Sequence, residues 1–215
     1  MMDFKTVYKE AKAEVIEKKS RFIASVKPVN TAGEAEAFIN TIKKEHYKAT
    51  HNVFAYCIGS RSEIERQSDD GEPSGTAGLP VLEVLRKMGL TNLAVVVTRY
   101  YGGILLGAGG LIRAYGNAAR EGVLAAGILE KRLYQQIYIK ADYSLLGKLQ
   151  YEINTHGEMI QDIIYQEDIE IIALVRPGNS ETFVKHITEL SHAASDIRIG
   201  GTIFTEWLDG KIHAL

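Results

Sequence analysis

The chain has one cysteine, Cys57, so it cannot close an intrachain disulfide, which fits a reducing compartment. Cys57 lies in the apolar run Val53 to Ile58 and reads as a small buried hydrophobe rather than a nucleophile. No stretch approaches the roughly 18 consecutive apolar residues of a membrane span, and the opening MMDFKTVYKEAKAEV lacks an apolar signal core. A cytoplasmic protein with no membrane partner is therefore expected. There is no low-complexity segment and no short repeat, which excludes solenoids. The loops lack a Gly-Lys-Ser/Thr phosphate signature, a Gly-x-Ser-x-Gly elbow and EF-hand spacing. His46, His156, His186, His192 and His213 show no metal-ligand spacing with one another or with Cys57.

What is present suffices for a globular fold: 46% of the 215 residues are hydrophobic, which argues against disorder. The formal charge of −2 is unevenly spread. Residues 1–132 carry 19 Lys and Arg against 15 Asp and Glu, a net of +4; residues 133–215 carry 6 against 12, a net of −6. A mildly basic first part permits a phosphate or nucleic-acid partner without demanding one.

Patterning divides the chain in two. Lys12 to Glu17 and Ser20 to Val29 flank Lys18-Lys19 as a hairpin. Thr31 with Glu34 is a capping box, followed by helical spacing of Ala35, Phe38, Ile39 and Ile42 to about Tyr47. Strands follow at Asn52 to Ile58 and Glu63 to Gln67, then a short helix from Leu79 to Met88. The run Leu93 to Thr98 reads as a doubly buried central strand, and a helix from Leu111 to Ala126 closes the first domain. In the second, Tyr134 to Tyr143, Ser144 to His156, Glu158 to Gln166, Ile169 to Arg176, Glu181 to His192 and Asp196 to Leu208 give the order βαββαβ. Trp207 reads as core. The expected domains are 1–130 and 133–215, joined near 128–133.

Two segments carry the chemistry. One is the glycine-rich run Arg99-Tyr100-Tyr101-Gly102-Gly103 through Gly107, Gly109 and Gly110 to Arg113. Its glycines, between a strand and a helix, either make packing turns or bring backbone N–H groups close to an anion. The other is the acidic loop DDGEPSGTAGLP, Asp69 to Pro80, which contains Asp69, Asp70, Glu72, Ser74 and Thr76. Its carboxylates could hold Mg²⁺ beside a substrate phosphate, or simply make turns and helix caps.

These segments, with Lys48-Ala49-Thr50-His51-Asn52, resemble the Impact/YigZ family over essentially the whole chain. The resemblance implies an α+β protein. Its first domain would be like the second domain of a small-subunit ribosomal protein, a fold shared with elongation factor G domain IV and the GHMP kinases. Its second domain would be ferredoxin-like, similar to the C-terminal domains of elongation factor G. The eukaryotic relatives act in translational control, so the resemblance implies a translation-linked protein binding RNA, the ribosome or a translation factor.

On this reading the cleft is built by His51, the acidic loop and a phosphate-binding set of Arg99, Tyr100, Gly102, Gly103, Gly107, Gly109, Gly110 and Arg113. Alternatively, Arg99 or Arg113 pairs internally with Asp69, Asp70 or Glu72. The expected protein is not an enzyme and has no resident cofactor or metal other than the Mg²⁺ option. The alternatives are a phosphotransferase or hydrolase using His51, Asp69 and Asp70, or a purely protein-binding module.

Overall fold

The computed structural model describes residues 2–214. They form two compact units, the first running to Lys131 and taking in Trp207–Lys211, the second spanning Arg132–Glu206 and the residues from Ile212. The first unit contains β1 (Phe4–Val7), β2 (Ala11–Glu17), β3 (Ser20–Pro28), α1 (Ala32–Glu45), β4 (His51–Ile58), β5 (Ile64–Ser68), α2 (Gly78–Met88), β6 (Leu93–Tyr100) and α3 (Gly107–Ala126).

Local chemistry sets these elements. The β2–β3 hairpin turns on two residues, Lys18 and Lys19, both left-handed at φ 45° and 68°. That geometry matches the natural twist of the strands. At α1 the Thr31 side chain accepts from the Glu34 N–H at 3.1 Å, while the Glu34 carboxylate accepts from Asn30 N at 2.8 Å. The expected capping box thus closes one residue further upstream.

The sheet runs β2-β3-β6-β4-β5, with every pair antiparallel. Side chains alternate across it. Leu93, Val95 and Val97 of β6 join Phe22, Ala24, Val26, Val53 and Ala55 in the core under α2 and α3. Ala94 and Val96 join Val29, Tyr56 and Ile58 in the core under α1. The central strand is therefore buried on both faces, as its unbroken apolar run requires.

Two elements differ from the expectation. α3 starts at Gly107, not Leu111, so Gly107, Gly109 and Gly110 form its first turn and the connecting loop is only Tyr101 to Leu106. β7 starts at Ile128, not Tyr134, and runs unbroken over Ile128–Ala141, across the point where the two units divide. Its first residues are ordered by pairing with β1, Val7 opposite Ile128 and Phe4 opposite Lys131.

The second unit continues with α4 (Leu146–Thr155), β8 (Met159–Tyr165), β9 (Ile169–Val175), α5 (Ser180–Leu190), β10 (Asp196–Leu208) and β11 (Lys211–Ala214). Strand order β10-β7-β9-β8 is that of a split βαβ, ferredoxin-like sheet, with β11 added outside β10. Leu149 and Ile153 of α4 and Phe183 and Ile187 of α5 share one core with Ile137, Ile169 and Ile171.

Candidate functional site

Register assembles the site. Phe22, Arg99 and His51 stand opposite one another on β3, β6 and β4. Arg99 lies two residues beyond Val97 and His51 two before Val53, so both fall on the face covered by α2 and α3. An arginine and a histidine thus end a row of valines under a helix, where only internal partners can satisfy them.

Glu72 supplies those partners. Its Oε1 accepts from Arg99 Nη1 at 2.6 Å and from the Tyr115 hydroxyl of α3 at 2.7 Å, and it lies 3.8 Å from His51 Nε2. Arg99 is 5% exposed and Glu72 8%, so this is a desolvated ion pair. Arg99 Nη2 also reaches Ser20 Oγ at 3.4 Å, and the guanidinium lies over the Phe22 and Tyr101 rings at 5.4 and 5.5 Å. Phe22 meets Tyr115 edge to face at 5.1 Å. Burial, with the Glu72 carboxylate beside it, pushes the Tyr115 hydroxyl's pKa up, so the phenol stays a donor.

The rest of the acidic loop is also committed internally. Asp69 accepts from Gly75 N at 2.9 Å, Ala77 N at 3.1 Å and Gly78 N at 2.8 Å, capping α2 from outside the helix. Burial opposes its ionisation, but donation from Gly75, Gly78 and Ala77 prevails and holds its pKa below the ordinary value. Asp70, left-handed at φ 47°, takes Lys43 Nζ on one oxygen and Asn52 N on the other, both at 2.6 Å. Its backbone carbonyl accepts from His51 Nδ1 at 2.8 Å. Thr76 donates its hydroxyl to the Pro73 carbonyl at 2.6 Å, and Ser74 is exposed.

The candidate catalytic groups His51, Asp69 and Asp70 therefore do not converge on a nucleophile. Asp69 is a helix cap, Asp70 an anchor for Lys43 and the Asn52 backbone, and His51 a member of the Glu72 cluster. Of the two readings of the arginines, internal pairing holds for Arg99. Arg113 differs: it is exposed on α3 and forms no ion pair with another described residue.

The glycine-rich loop rests on this network. Tyr101 N donates to Thr50 Oγ1 and Gly102 N to Ser20 Oγ, each at 3.1 Å. Gly102 crosses the hairpin so closely that a Cβ would lie 2.1 Å from the Lys19 carbonyl carbon. Gly103, at φ 81°, then turns the chain outward. Tyr100 is held from below, its hydroxyl 2.9 Å from His46 Nδ1. Tyr101, Ile104 and Leu105 are exposed, Leu105 at 82%.

Beyond them α3 has no side-chain cap and no acidic residue in its first turn, where Gly107, Gly109 and Gly110 bare the backbone. A cleft of about 330 Å³ runs beside that turn, lined by Val15, Glu17, Lys18, Leu106, Gly110 and Arg113 among others. Lys18, Lys19 and Lys48 are exposed at the same end of the sheet, and Lys18 and Lys19 have no ion-pair partner among the described residues. The Lys18–Lys19 contribution was missed in the sequence because both residues read only as a turn.

Among the described residues no helix is long and apolar enough to cross a membrane. Residues 18–123 match the model of the Impact N-terminal domain, and residues 139–194 match a domain of unknown function, DUF1949. The chain is 44% identical to the IMPACT family member YvyE of Bacillus subtilis, over 94% of this chain and 93% of that one. It is 37% identical to the IMPACT family member YigZ of Escherichia coli over 60% of this chain and 64% of the relative, so that match spans just under two thirds of YigZ. A crystal structure of a hypothetical protein superposes with a TM-score of 0.59 at 28% identity, covering 94% of this chain and 98% of that one.

Proposed function

The chain belongs to the IMPACT family, and from that premise we propose that it is a translation-linked binding protein whose first unit engages structured RNA, ribosomal RNA foremost. The docking surface is the loop end of the five-stranded sheet: the Lys18-Lys19 turn, the Tyr101–Leu106 loop and the uncapped start of α3 with Arg113. The observation that carries this reading is the separation of charge at that end. Asp69, Asp70 and Glu72 are spent on backbone N–H groups, Lys43 and Arg99, while Lys18, Lys19 and Arg113 stay exposed.

A polyanion meets cations and bare N–H groups there, and the carboxylates of the acidic loop are neutralised from within, so that Glu17 is left as the exposed carboxylate beside Lys18 and Arg113. Exposed Tyr101 and Leu105 add stacking and apolar contact for unpaired bases. Arg99 acts from beneath, holding Glu72 and the root of the loop in place.

The test is the salt dependence of binding to a short structured RNA. The affinity should fall steeply between low and physiological salt. Replacing Lys18, Lys19 and Arg113 by Glu should weaken binding and flatten the log–log slope by roughly 2 to 3, about 0.7–0.9 for each lost phosphate contact. Binding that is indifferent to salt, or unchanged in the triple variant, would contradict the assignment. A protein partner would then be favoured, with Ile104 and Leu105 as the residues to change.

A further inference from the structure

We propose that Glu152, His156 and His186 of the second unit form a binding site for a divalent transition-metal ion, with Zn²⁺ the best match. Glu152 and His156 lie four residues apart, on α4 and at its C-terminal cap, so they share one helix face. His186 comes from α5, which packs on the same core beside α4. One ligand atom from each of the three residues lies within 4.8 Å of the other two.

His186 Nε2 is 3.0 Å and His156 Nδ1 3.7 Å from Glu152 Oε2, and the two rings are 4.6 Å apart between centroids. In a tetrahedral zinc site with bonds of about 2.0–2.2 Å, neighbouring ligand atoms stand about 3.3 Å apart. The His186–Glu152 pair is close to that value, and a rotation of the His156 ring that brings its Nε2 toward the same point would close the set.

Two further features fit an ion. Two imidazoles and a carboxylate form a donor set for a borderline transition metal, whereas Mg²⁺ and Ca²⁺ require mainly oxygen. His156 Nδ1 donates to the Glu152 backbone carbonyl at 2.9 Å. Such a bond leaves the lone pair on Nε2 and orients the ring, as outer partners of zinc-binding histidines do.

The ligand side chains are partly exposed, at 43%, 20% and 37% for His156, Glu152 and His186. His156 and His186 border a pocket of about 330 Å³, whose lining also includes Glu158, Asn179, Thr182 and Phe183. Within it Glu158 is already engaged, accepting from Arg176 N at 2.9 Å and Asn179 Nδ2 at 3.0 Å. Three protein ligands leave a fourth position facing this pocket, suited to water or a small anion.

The full chain should be titrated with Zn²⁺ by calorimetry and with Co²⁺ by visible absorption, with Mg²⁺ as a control. The expected result is one equivalent of Zn²⁺, a Co²⁺ spectrum of low-coordinate intensity, and no response to Mg²⁺. His186→Ala and His156→Ala should each lower affinity at least tenfold, with unchanged far-UV circular dichroism, and Glu152→Gln should weaken it less. His46→Ala and His213→Ala should leave the stoichiometry intact. Absence of binding at micromolar metal, or binding that survives in the His156/His186 double variant, would overturn the site. In wild-type protein, histidine NMR signals that shift on Zn²⁺ addition should be those of His156 and His186; shifts confined to other histidines would also overturn it.

Discussion

Glu72→Ala should be the most damaging single truncation in the acidic loop. The substitution removes the acceptor 2.6 Å from Arg99 Nη1 and 2.7 Å from the Tyr115 hydroxyl. Arg99 cannot turn to solvent: its side chain is 7% exposed, and its Nε already lacks a partner. Breaking a buried ion pair by deleting one member costs about 3–5 kcal/mol, because the other charge stays desolvated. At roughly 3–4 °C per kcal/mol for a unit of this size, the melting temperature should fall by about 10–20 °C.

The assay is thermal and urea unfolding followed by circular dichroism, on Glu72→Ala, Arg99→Met and the double variant Glu72→Ala/Arg99→Met. The double variant should recover much of the loss, since removing both charges leaves neither stranded. A loss below about 1 kcal/mol for Glu72→Ala, the range of an exposed pair, would refute the reasoning. A double variant worse than the sum of the two singles would do the same.

Gly102→Ala should destabilise the first unit by about 1–3 kcal/mol and loosen the loop, because the added methyl meets the Lys19 backbone. Limited proteolysis between Tyr101 and Leu106 reads the second effect. Asp69→Asn should lower stability at neutral pH through its bonds to Gly75, Ala77 and Gly78. The wild-type advantage should be full above pH 3.8 and vanish as pH falls through the depressed folded value, which acid titration of both proteins checks. Cys57 is buried, and desolvation with Glu65 nearby pushes its thiol up to about 12. It should resist iodoacetamide in the native state and react on unfolding.

Much of the first unit was legible because its signals are local. Thr31 and Glu34 announce α1, Lys18-Lys19 mark the hairpin, and the unbroken run from Leu93 can only be a doubly covered strand. The start of β7 was not legible. Gly127 stops α3, and the charged residues Glu130, Lys131 and Arg132 read as preceding the strand; pairing of Ile128–Lys131 with the four-residue β1 shows that the strand has already begun.

The site shows the same divide. Residue types named Arg99, Glu72 and His51, but choosing between a free arginine and a paired one needed the register that sets Arg99 beside His51 and Phe22. Tyr115 joined the cluster only through the packing of α3. His156 and His186 stand thirty residues apart in sequence, and no linear spacing could bring them together. Both helices packing on one core does so.

The most direct test of the central claim is to map the contact itself, by ultraviolet cross-linking of the full chain to ribosomes or structured RNA and mass spectrometry of the adducts. Cross-links should concentrate on Tyr101 and the peptides carrying Lys18-Lys19 and residues 102–113, and disappear at high salt. Adducts confined to residues 133–206, or none under conditions where a known RNA-binding control is captured, would contradict the account.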